Sequence, residues 1–142
     1  NYERLFSLDV ECRDLIRDSK KLSSEQRAAL LPVIKEVALA YGVASSSPRI
    51  IERIGIAPAT FTAMRKAIRK CEQNFDTLFV DGACKVDGYH GRQITVVKGD
   101  DLCFCIAAAS ILAKEARETA REDEDCPVCE VFRAGKQVGS VT

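Results

Sequence analysis

Two apolar runs in this 142-residue chain close on carboxylates: "DTLFVDG", which reaches Asp81 and Gly82, and "ITVVKGD", which reaches Asp100. Short apolar runs bounded by turn residues read as buried strands, whose last residue emerges at the edge of the sheet. If the two strands lie side by side and parallel, both aspartates stand at the carboxyl edge, where open α/β sheets place their ligand sites. Asp before Gly also makes ordinary turns, so "VDG" has a purely structural reading as well. Beyond Asp100 the chain should be helical from about Leu102 through Arg121, with Ala107, Ser110, Lys114 and Arg117 sharing one face. The small members would let that helix approach the sheet, while the basic members reach outward. Carboxylates beside a hydroxyl and two cations suit a phosphate held near a metal ion. Phosphodiester hydrolysis needs a nucleophilic water and charge stabilisation on the phosphoryl oxygens, which two Mg²⁺ or Mn²⁺ ions about 4 Å apart supply. Such hard ions take oxygen ligands, hence Asp and Glu. Two aspartates are rarely enough, so further acids are expected from another part of the chain.

The elements that must position these residues are legible in outline. "SSEQRAALLPVIKEVALAYG" reads as a helix with Ser23 and Gln26 forming a capping box and Gly42 a stop. Leu30, Ile34, Val37 and Tyr41 form its apolar stripe, and Pro32 sits awkwardly inside it. "YGVASSS" reads as a short strand, and "APATFTAMRKAIRKC" as a second helix with Pro58 near its first turn. Phe61, Met64, Ala67, Ile68 and Cys71 recur at helical spacing, which makes Met64 core and not a ligand.

Length and composition suit one globular domain over residues 1–142. The 21 basic and 21 acidic residues cancel, so a polyanion would have to be held by a local patch. No apolar stretch reaches a membrane span and no signal peptide is evident, so the expectation is a cytoplasmic monomer with no membrane contact. The seven Cys form no regular framework and read as reduced, mostly buried thiols. Cys103, Cys105, Cys126 and Cys129 offer a zinc alternative. His90, flanked by glycines in "DGYHGR", reads as an exposed loop residue.

The blocks "DSKKLS" (18–23), "PATFTAMRKAI" (58–68), "LFVDG" (78–82), "VVKGD" (96–100) and "IAAASILAKEAR" (106–117) resemble bacterial ribonuclease HII in order and spacing. The resemblance implies an α/β, ribonuclease H-like fold: a mixed central sheet flanked by helices, here incomplete at its N-terminal strands. It further implies endonucleolytic cleavage of the RNA strand of RNA/DNA hybrids, and of DNA duplexes carrying single ribonucleotides, with Mg²⁺ or Mn²⁺ held by four acids. Asp81 matches the acid of the family's "DG" strand end, and Asp100 that of "KGD". Lys20, Ser110, Lys114 and Arg117 fall on the substrate side, with Lys21 beside Lys20. The family's opening Asp-Glu pair and Gly-Arg-Gly segment have no clear counterpart. Asp9 and Glu11 in "LDVEC" are carried as a distorted remnant of that pair and as candidate ligands, with exposed charges as their plainer reading. Glu118 stands where the family usually has Asp, and Gln137 or Val138 where it has an aromatic reader. An alternative follows from this thin ligand set: an inactive ribonuclease H-like module that binds nucleic acid or serves as a scaffold.

Overall fold

The structure, a computed structural model, describes residues 2–71, 75–122 and 128–134. It opens with helices α1 (Tyr2–Ser7) and α2 (Val10–Arg17), a 3₁₀ turn (Ser19–Lys21) and helix α3 (Ser24–Val37). Asp9 caps α2 by accepting the Cys12 amide at 2.7 Å. The capping box of α3 is present: the Gln26 amide donates to Ser23 Oγ at 3.3 Å and the Ser23 amide to Gln26 Oε1 at 2.9 Å. Each orphan amide so satisfied stabilises the helix start.

Helix α3 ends at Val37, well before the expected stop at Gly42. Gly42 lies instead in strand β1 (Ala40–Ser46), where its backbone presses on helix α5 (Ile56–Lys70) so closely that a Cβ would stand 2.2 Å from the Ala67 carbonyl oxygen. Its glycine serves a close approach and not a helix terminus. Tyr41 accordingly leaves the apolar stripe and is exposed, while Leu30, Ile34 and Val37 are buried. Helix α4 (Pro48–Ile54) joins β1 to α5.

Strands β2 (Leu78–Asp81) and β3 (Gln93–Val96) pair in parallel, with Leu78 opposite Gln93 and Asp81 opposite Val96. The Gln93 side chain pins the connection between them, accepting from the Val86 amide at 2.7 Å and donating to the Val86 and Tyr89 carbonyls. Helix α6 (Gly99–Leu102), helix α7 (Phe104–Glu122) and strand β4 (Val128–Ala134) follow. Among the described residues the strands pair in twos, β4 running antiparallel to β1 and β3 parallel to β2. The mixed α/β architecture is the one the family resemblance implies.

Two apolar clusters hold these elements. Ala107, Ala108, Ile111, Leu112 and Ala113 of α7 pack with Ile16, Leu22, Leu30 and Ile34. Met64, Ala67 and Cys71 of α5 pack with Ala44, Leu78, Val80 and Val86. Each large aliphatic side chain so buried contributes roughly 1.5–3 kcal/mol. Leu78 and Val80 anchor β2 from below, and Asp81, the next residue along, is carried to the strand's open end. No helix among the described residues is long and apolar enough to cross a membrane.

Candidate metal centre

The alternation of β2 buries Leu78 and Val80 and leaves Asp81 half-buried at the carboxyl end. Strand β3 stops at Val96, so Asp100 does not end a strand as expected. The chain turns at Lys98, whose backbone is left-handed (φ 55°), and enters α6, which carries Asp100 and Asp101 in its first turn. The expected juxtaposition survives this correction, because the Gly99 amide donates to Asp81 Oδ1 at 2.8 Å and brings the start of α6 against the end of β2.

Electrostatics couple the two acids. Burial lifts the Asp81 carboxyl above its ordinary value, the Gly99 amide opposes that, and the neighbouring Asp100 charge adds to the lift. Lys20 and the Gly82 amide pull the other way. Lys20 is brought in by the 3₁₀ turn, whose Ser19 is buried, as is Leu22 directly after it. Its Nζ lies 3.1 Å from Asp100 Oδ1 and 2.9 Å from Asp101 Oδ2, and these two bonds raise its own pKa, that to Asp101 most. Asp100, Asp101, Leu102 and Phe104 border a cleft of about 270 Å³, with Arg17 on its wall.

This donor set fits a hard divalent ion. Mg²⁺ keeps several waters and is bound through one or two carboxylates together with substrate phosphates. A cation at Asp81 and Asp100 would also relieve the burial and like-charge repulsion that disfavour ionised Asp81. Among the described residues, however, no three His, Cys, Asp or Glu side chains stand close enough to hold one ion. Asp9 and Glu11 therefore do not join the pair. They belong to no strand: Asp9 is spent on capping α2, and Glu11 is exposed in its first turn. The motif Asp9 before a run ending in buried Ile16 was an N-cap signal available in the sequence.

The other expected site residues separate. Ser110 is 2% exposed and does not reach outward with Lys114 and Arg117. The shared helical face is real, but its N-terminal half is covered. Lys114 is half-buried and Arg117 exposed further along α7. Glu118 pairs with Arg27, which also meets Glu115 at 3.0 Å and donates to the Leu22 carbonyl at 3.1 Å. Lys21 faces Asp18, its own neighbour, at 3.4 Å. His90 lies exposed in the β2–β3 connection, as expected. Cys126, Gln137 and Val138, on which the zinc alternative and the aromatic comparison rest, lie outside the described residues. Sequence reasoning missed Arg17 and Gly99; of these only Gly99, a glycine between two strand-end candidates, carried a local signal, while Asp101 was legible as the second acid of the pair it forms with Asp100.

Comparison with known proteins gives a consistent picture. The sequence model of the family described as Ribonuclease HII matches residues 14–127. A protein named Ribonuclease HII from Prochlorococcus marinus is 45% identical over 103 residues, which is 72% of this chain and 54% of that protein. One of the same name from Endomicrobium trichonymphae is 46% identical over 103 residues, 72% of this chain and 49% of that protein. One from Synechococcus elongatus is 46% identical over 110 residues, 78% of this chain and 51% of that protein. The chain thus spans about half the length of the curated relatives it matches.

Proposed function

The chain belongs to the ribonuclease HII family, and from that premise we propose that it is an endoribonuclease acting on the RNA strand of RNA/DNA hybrids and on single ribonucleotides embedded in duplex DNA. Asp81 and Asp100 would hold the divalent ions, Mg²⁺ or Mn²⁺, of a two-metal-ion mechanism. When bound, such ions polarise the phosphoryl oxygens and lower the pKa of an attacking water. The protein's own contribution is placement. The Gly99 amide fixes the orientation of the Asp81 carboxylate, and Lys20, Lys114 and Arg117 hold backbone phosphates, which sets the register of the duplex without reading its sequence. The ribose 2′-hydroxyl is the group that separates the target from DNA.

The observation that carries this reading is the hydrogen bond from the Gly99 amide to Asp81 Oδ1, which brings the start of α6 and Asp100 to the end of the parallel β2–β3 pair, inside the segment that the family model covers. The rival is an inactive binding module, favoured by the lack of a third acid at the pair among the described residues. The test is incubation of the chain with Mn²⁺ and a DNA duplex containing one ribonucleotide. Cleavage at the ribonucleotide that is lost in Asp81→Asn is the expected result. Binding of the duplex without cleavage at protein in excess over substrate would overturn the enzymatic reading and leave the module.

A further inference from the structure

We propose that Asp101 is a positioning residue: by its 2.9 Å ion pair it keeps the Lys20 ammonium on Asp100 Oδ1, where that ammonium competes with a divalent ion for the carboxylate. The inference rests on the reading of Asp100 as a metal ligand and adds to it a built-in counter-cation.

Three features carry it. First, the Asp100 side chain is only 11% exposed, so few directions are open to an approaching cation, and Lys20 already occupies one of its two oxygens at 3.1 Å. Second, Lys20 is tethered at its base by the buried residues Ser19 and Leu22, while its side chain is half exposed and long. A single exposed ion pair barely offsets the rotamer entropy of a lysine. A second acceptor decides whether the ammonium stays, and Asp101, the next residue of α6, supplies it. Third, an ammonium neutralises Asp100 but has no open coordination position, so it can hold the acid in place without doing a metal ion's work. Displacement by the ion frees a positive point charge beside the cleft, where a phosphate oxygen would meet it.

The test is direct Mn²⁺ binding by the chain without nucleic acid, read by calorimetry or water-proton relaxation. Lys20→Met and Lys20→Gln should each bind Mn²⁺ about fivefold more tightly than the unaltered chain. In an Asp101→Asn background the same Lys20 substitutions should change the affinity by less than about twofold, and Asp101→Glu should restore the full response. Thermal melts of every variant report whether it is folded. Unchanged or weaker Mn²⁺ binding by both Lys20 variants overturns the competition. An equal Lys20 effect with and without Asp101 overturns the positioning role. Absence of Mn²⁺ binding in all variants overturns the metal reading itself and this inference with it, an outcome distinct from equal, measurable binding.

Discussion

The Gly99 amide donates to Asp81 Oδ1 across 18 residues of sequence, and that one bond joins the end of β2 to the start of α6. It orients Asp81 and, because Asp100 follows Gly99 directly, sets where the second acid stands. Glycine makes this approach without a clash: a Cβ would lie 2.4 Å from Ile106 Cδ1 and 3.2 Å from Asp81 Oδ1, so a larger residue would have to displace the Ile106 side chain.

Gly99→Ala should therefore destabilise the fold by about 1–3 kcal/mol through overpacking. Ile106→Val removes the clashing methyl, so alanine at 99 should cost less in that background than in the unaltered chain. Urea unfolding of the four proteins of this cycle checks it, and strictly additive costs would show that the clash is not the cause.

The raised Asp81 pKa predicts a pH-dependent stability. The folded state holds the Asp81 proton more tightly than the unfolded chain, so stability falls as pH rises from the ordinary value of 3.8 through the raised one. It stays at the lower level above that window. Asp81→Asn carries no such penalty and keeps an acceptor for the Gly99 amide. Its stability relative to the unaltered chain should rise across this window and remain higher at neutral pH, as measured by urea midpoints from about pH 3 to about pH 7. A difference that does not change with pH would refute the burial argument.

What the sequence made legible was local. Strand β2 was readable because its apolar alternation, Asp81 and Gly82 are contiguous, and the α3 start because the capping box spans four residues. Asp100 was misread as a strand end because its place depends on a left-handed Lys98, a conformation that no residue type at that position announces. Helical spacing put Ser110 and Lys114 on one face but could not say which end of that face would be buried. Lys20 meets Asp101 across 81 residues, a contact set by tertiary packing alone.

Lys98 is the one described non-glycine residue with positive φ. Relief of that conformation is worth about 1–2 kcal/mol, against roughly 0.4–1 kcal/mol lost to the greater freedom of glycine in the unfolded chain. Lys98→Gly should accordingly stabilise the protein by about 0.5 kcal/mol. A shift of the denaturation midpoint in the opposite direction would show that the lysine side chain itself contributes.

Arg27 ties the start of α3 to α7 through Glu115, Glu118 and the Leu22 carbonyl, and its side chain is only 12% exposed. Arg27→Ala leaves Glu115, itself 13% exposed, without that partner and should cost about 2 kcal/mol. Glu115→Gln, which keeps a hydrogen-bond acceptor, should cost less. Equal losses in the two variants, read by thermal unfolding, would mean that packing and not charge pairing holds the clasp.

The proposed function has Asp81 and Asp100 share a divalent cation at the end of β2. Its most direct test is the titration of the isotope-labelled chain with substoichiometric Mn²⁺, following paramagnetic broadening of the backbone amides. Gly82, Gly99 and Asp101 should broaden first, and Asp81→Asn or Asp100→Asn should sharply reduce the effect. Broadening centred on the α2 acids around Glu11, or uniform across the acidic surface, would contradict it.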